Sequence, residues 1–96
     1  MTRGHVAFVD DEAELCAAVA DWLETSGFTV KTWTDPLRAL EEIDLARTDA
    51  VITDLRMPGL TGDALLAALR AREPDLPVVL MSAHADIPLA VATMRD

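Results

Sequence analysis

Apolar and polar positions follow one another along this chain in short blocks. Residues 5–9 form an apolar run with β-branched and aromatic members that stops at Asp10-Asp11, the pattern of a strand buried on both faces. From Glu12 onward, Leu15, Val19, Trp22 and Leu23 fall at i, i+4, i+7 and i+8, one stripe of an amphipathic helix that Ser26-Gly27 stops, with Gly27 suited to a left-handed cap. Residues 28–33 read as a second strand. Thr34-Asp35-Pro36 then joins a capping side chain to a proline at the first helical position, and the helix it opens is expected to run to about Ala46. Residues 50–53 are a third buried strand ending at Asp54. A loop holding Pro58, Gly59 and Gly62 leads into a helix carrying Leu65, Leu66 and Leu69, which Glu73-Pro74 ends. Residues 76–81 are a fourth strand, 82–86 a loop, and 87–94 the beginning of a fourth helix cut short by the C-terminus.

Strands and helices alternating at this spacing specify an α/β fold, a parallel sheet with right-handed crossovers and helices on both faces. In such open sheets the site lies beyond the carboxyl ends of the strands, where strand order reverses. Asp10 and Asp11 end the first strand, Asp54 the third and Ser82 the fourth, so all four belong to one edge. With the flavodoxin-like order 2-1-3-4, in a three-layer sandwich, the three carboxylates converge. A pair of them about 5 Å apart repels by roughly 3 kcal/mol at an effective dielectric near 20. A hard divalent cation with oxygen ligands relieves this, and an open carboxylate site that leaves waters on the metal suits Mg2+. Beside such an ion, Asp54 is a competent nucleophile toward a phosphoryl group, giving an acyl phosphate that the Ser82 hydroxyl can then hydrogen-bond.

Composition narrows the picture further. The chain has 96 residues, enough for one small domain; 51% are apolar, too many for disorder. Seventeen Asp and Glu against eight Lys and Arg give a net charge of −9. That excess argues against direct nucleic-acid contact and against an anionic membrane surface, both of which need clustered cations. The lone Cys16 forbids an internal disulfide, no basic and apolar leader opens the chain, and no apolar run approaches the roughly 18 residues of a membrane span. A cytoplasmic protein is expected.

At these residues the chain resembles the receiver domains of bacterial two-component response regulators. The resemblance is carried by Val9-Asp10-Asp11-Glu12, then Asp54-Leu55-Arg56-Met57-Pro58-Gly59 leading to Gly62, then Met81-Ser82-Ala83, and it covers essentially the whole chain. It implies that Asp54 is the phosphoacceptor, that Asp11 ligates Mg2+ directly, and that Asp10 holds the metal's water or ligates it. The third protein ligand implied is the backbone carbonyl of Arg56, and Ser82 matches the hydroxyl residue that swings toward the phosphoryl group. The partners implied are a sensor histidine kinase as phosphoryl donor and output domains of the full-length protein, with transcription activation as the output. The segment Ala83-His84-Ala85-Asp86-Ile87-Pro88-Leu89-Ala90-Val91 looks most like receivers of enhancer-binding activators, including those that regulate dicarboxylate transport.

The chain also departs from that pattern. A complete receiver has a fifth βα unit with a lysine and an aromatic on its strand, and this sequence stops before them; residues 1–96 therefore read as a C-terminally truncated receiver domain. Lys31, the single lysine, falls on the second strand and cannot substitute. Missing a strand, residues 78–81 should form a bare apolar edge that invites a homodimer or oligomer. Two other functions stay open. One is a docking module that is not phosphorylated in this form. The other is an aspartyl-phosphate hydrolase, disfavoured because Arg56 stands where such enzymes carry a second acid. A signalling module without turnover is the expected reading.

The remaining residues have structural readings. His5 opens a strand, His84 is a surface residue, and Cys16 is a small packing residue with no basic neighbour to activate it. Trp22 and Trp33 are expected to be partly in the core, too far from the acidic site to report on it. Met57 packs the loop and Met81 the core. Glu12 and Glu14 suit the first turn of their helix, with Glu12 within reach of the metal's water shell.

Overall fold

A computed structural model describes residues 2–82 and 90–93. The elements are β1 (His5–Val9), α1 (Ala13–Thr25), β2 (Thr29–Trp33), α2 (Pro36–Glu42), β3 (Ala50–Asp54), α3 (Gly62–Arg72), β4 (Val78–Ser82) and β5 (Ala90–Thr93). The sheet order is β2-β1-β3-β4-β5. The first four strands are parallel, in the expected order 2-1-3-4, and β5 runs antiparallel to β4.

β1 lies between β2 and β3, so both of its edges are paired, and with helices packed on the sheet Val6 through Val9 are all buried. Alternation along the strand sends Ala7 and Val9 to one face, where they join Ala39 and Ile43 around α2, Leu65, Leu66 and Leu69 of α3, and Val51 and Val78 in a single cluster. Val6 and Phe8 point the other way, toward the side on which α1 buries Cys16 and Leu23. Local signals mark the end of α1 and the start of α2. Gly27, at φ +101°, donates its N–H to the Glu24 carbonyl while Phe28 donates to Leu23, closing α1 with a left-handed residue. Asp35 caps α2 by accepting the Leu37 N–H at 3.0 Å, with Pro36 as the first helical residue.

Several expectations need correction. α2 ends at Glu42, not near Ala46. Ile43 leaves the helix at ψ 123° with its side chain in the core, and Asp44 then takes the Ala46 N–H on its carboxylate, folding residues 44–47 into a turn. Residues 90–93, expected inside a fourth helix, are a strand; the rest of that helix and His84 lie outside the described residues. Val91 and Thr93 suit a strand, and the edge of β4 offers a row of backbone groups that a fifth strand can pair. The edge of β4 expected to be bare is therefore paired. Trp22 is 67% exposed, at the margin of the α1 stripe whose centre Leu23 and Cys16 occupy, so it is not core. Trp33 does pack on the main cluster; Met81 is only half-buried. No helix among the described residues is long and apolar enough to cross a membrane.

Candidate metal and phosphoacceptor site

The residues that end β1 and β3 meet at one edge of the sheet because those strands are neighbours in register. Val9 pairs with Thr53, so the next residues along, Asp10 and Asp54, are opposite one another, and Asp54 in turn pairs with Met81 of β4, the residue before Ser82. Asp10, Asp11 and Asp54 each place a carboxylate oxygen within 4.8 Å of the others. Asp10 is 2% exposed, Asp54 half-buried and Asp11 exposed, so the cluster opens from the sheet toward solvent. The backbone of Ser82 ends β4 on the same edge. Arg56 lies exposed in the turn that leaves β3.

Asp10 is held from several sides. Its N–H donates to the Trp33 carbonyl at 3.0 Å. Its carboxylate Oδ1 accepts the Glu12 N–H at 2.8 Å. Its carbonyl accepts the Cys16 thiol at 3.3 Å, and the same Sγ lies 3.8 Å from the Trp33 carbonyl. Trp33 is itself anchored, its indole Nε1 donating to Glu42 Oε1 at 3.0 Å. That bond, helped by Arg38, keeps the Glu42 carboxyl below its ordinary range. Neither the thiol nor the Trp33 carbonyl was marked as part of the site by sequence pattern, since each meets Asp10 at its backbone, which no motif records.

Burial strips water from Asp10 and pushes its carboxyl up to about 6; the Glu12 N–H offsets part of this, while the charges of Asp54, Asp11 and Glu12 add to it. No basic side chain enters that balance. The ion pairs of Arg38 with Glu42 and of Arg47 with Asp44 lie elsewhere. Lys31 sits in the middle of β2, paired with Ala7, and lines a cavity of about 360 Å³ between β2 and the α2–β3 turn together with His5, Trp33 and Glu42. It does not reach the acidic edge. Three carboxylates with no counter-charge recorded beside them among the described residues, all hard oxygen donors and open on one side, fit a divalent cation that keeps part of its water. The thiol beside them stays protonated, because burial and then the charge of Asp10 push its pKa up.

The loop after β3 is folded back on the strand. Leu55 donates to the Met81 carbonyl at 2.9 Å and its own carbonyl accepts the Gly62 N–H at 2.8 Å. Met57 is buried beneath, and Thr53 Oγ1, fully buried, donates to the Asp54 carbonyl at 3.1 Å. Gly59 takes φ +91° at the loop's tip. The expected loop-packing role of Met57 is thus met.

Comparison with known proteins agrees with this geometry. A family model described as the response regulator receiver domain matches residues 6–96. The C4-dicarboxylate transport transcriptional regulatory protein DctD of Rhizobium meliloti is 40% identical over 91 residues, 95% of this chain and 20% of that protein. The DNA-binding transcriptional regulator NtrC of Escherichia coli is 37% identical over 96 residues, 100% of this chain and 20% of that protein. Among solved structures, the response regulator TrrA of Thermotoga maritima in complex with Mg2+-BeF superposes with a TM-score of 0.79 at 26% identity, over 85% of this chain and 71% of that one. The chain thus spans about one fifth of the length of these two curated relatives.

Proposed function

Because this chain belongs to the response regulator receiver domain family, we propose that it is the phosphorylation-controlled switch of a transcriptional response regulator, with Asp54 as the phosphoacceptor. The observation that carries this reading is the meeting of Asp10, Asp11 and Asp54 within 4.8 Å at the edge where β4 also ends in Ser82. Asp10, Asp11, Asp54 and the Arg56 carbonyl would hold Mg2+, and the solved relative bound to Mg2+-BeF supports that choice of ion. When bound, the ion neutralises charge on the phosphoryl oxygens.

The chain's own residues do the rest. Asp54, half-buried at the end of β3, presents a carboxylate oxygen to the phosphorus; the new O–P bond forms as the P–N bond to the kinase histidine breaks, and the imidazole leaves with the electron pair and takes up a proton. The Thr53 hydroxyl and the folded-back loop hold the Asp54 backbone, so the attacking oxygen is already placed. Ser82 then donates its hydroxyl to a phosphoryl oxygen, a contact that exists only after transfer. Its movement is the switch passed to the output domains.

The domain is a signalling module, not a turnover enzyme, since position 56 carries Arg and supplies no second acid. Its partners are a sensor histidine kinase and the output domains of the full-length protein, in the cytoplasm. A small acyl phosphate with Mg2+ tests the reading: mass spectrometry should record one added phosphoryl group, absent in Asp54→Asn. No mass gain in the wild-type chain, within the full-length protein as well, would overturn it.

A further inference from the structure

The link between β1 and α1 is only three residues long, and it carries two of the three clustered carboxylates. Its geometry therefore depends on whatever fixes its first residue. Asp10 leaves the strand with its N–H on the Trp33 carbonyl, which ties it to β2. Its carbonyl points into the protein toward α1 and meets the Cys16 thiol at 3.3 Å. Cys16 is 3% exposed and stands in the first turn of α1, where its own N–H is also held, donating to the Glu12 carbonyl at 3.0 Å. Glu12 closes the circuit through its N–H on Asp10 Oδ1 at 2.8 Å. The thiol also faces the Trp33 carbonyl at 3.8 Å, so one small side chain touches the carboxyl-terminal ends of both β1 and β2.

We propose that Cys16 is a positioning residue for the acidic site, its thiol holding the Asp10 carbonyl so that the Asp10 and Asp11 carboxylates keep the spacing that a divalent cation requires. This rests on the reading of the three carboxylates as a cation site. Releasing the carbonyl from the thiol frees ψ of Asp10 and φ of Asp11, the soft torsions on either side of the rigid peptide, and a change in them carries Asp11, the exposed member of the cluster, away from Asp54. The contact acts on the ligands from behind and touches neither cation nor phosphoryl group. Groups that orient metal ligands in this way commonly weaken metal affinity about tenfold or more when removed.

The test is Mg2+ titration by calorimetry of the wild-type chain, Cys16→Ala and Cys16→Ser, with thermal unfolding in chelator run beside it. Alanine removes the donor and serine keeps one, so Cys16→Ala should bind Mg2+ about tenfold more weakly while Cys16→Ser stays within about twofold of wild type. A merely structural role would lower the unfolding temperature of the alanine variant in chelator and leave the affinity of the folded protein unchanged. If Cys16→Ala does not fold, Cys16→Val, which fills the space and lacks the donor, takes its place. Equal Mg2+ affinity in wild type and the donor-less variant overturns the proposal. A wild-type chain that binds no Mg2+ instead overturns the cation-site reading beneath it.

Discussion

Gly62, the first residue of α3, stands so close to the backbone of Asp54 that a Cβ added to it would run into the Asp54 carbonyl oxygen and come within 2.9 Å of the carbonyl carbon. The loop between them is drawn tight by the Gly62 N–H on the Leu55 carbonyl. A side chain at this position therefore moves the residue proposed to accept the phosphoryl group.

Gly62→Ala tests this with a sign opposite to propensity. Alanine in a helix is ordinarily better than glycine by about 1 kcal/mol. Here the obstacle is backbone, which cannot rotate aside, and overpacking of this kind costs about 1–3 kcal/mol. Urea denaturation should show net destabilisation, and phosphorylation by a small acyl phosphate should slow. A stabilised variant would mean that α3 can shift freely away from β3.

Asp10 sets an unusual pH dependence in the metal-free chain. Its folded pKa, about 6, lies above the ordinary 3.8, so the native state holds the proton more tightly than the unfolded one. Stability is then greatest below the unfolded value and is lost as pH rises through the folded one. In chelator, wild type should lose up to about 3 kcal/mol relative to Asp10→Asn between about pH 4 and about pH 7, and saturating Mg2+ should abolish that difference. Denaturant midpoints across this range for the two proteins measure it; parallel curves would contradict it.

The two tryptophans should report differently on the site. Trp33 shares a backbone hydrogen bond with Asp10 and is packed on the core, whereas Trp22 is 67% exposed on α1. Sequence position suggested that both were too remote to respond, but the end of β2 lies beside the end of β1. Mg2+ should change the intrinsic fluorescence of wild type and Trp22→Phe and leave that of Trp33→Phe unchanged. A response carried by Trp22 would refute this assignment.

α2 has only seven residues and depends on its cap. Asp35→Ala removes the acceptor of the Leu37 N–H and should cost about 1 kcal/mol, with Asp35→Asn close to wild type. Equilibrium unfolding monitored by circular dichroism distinguishes the two outcomes.

The features that could be read in advance are those written into contiguous residues. Asp10 and Asp11 follow one apolar strand and Asp54 ends another, so both the strand ends and the meeting of the three acids were legible, and Asp35-Pro36 and Gly27 marked helix boundaries that the structure keeps. The misreadings share a cause. The end of α2 depends on whether Ile43 gains more from the core than from another helical turn, and Trp22 lies on the edge of a stripe that has room for Leu23 and Cys16 first. Residues 90–93 are a short apolar stretch with no period of their own, and the unpaired backbone of β4 decides that they extend.

By itself, then, the amino-acid order determined the alternation of strands and helices, the parallel sheet and the three carboxylates at its edge, because these follow from local periodicity and from rules that connect neighbouring elements. Tertiary structure decided what holds those carboxylates: the Cys16 thiol and the Trp33 carbonyl around Asp10, and the contact of Gly62 with Asp54. Such contacts join residues through backbone atoms across the sheet edge, and backbone groups are the same in every residue, so only the folded arrangement reveals which of them meet.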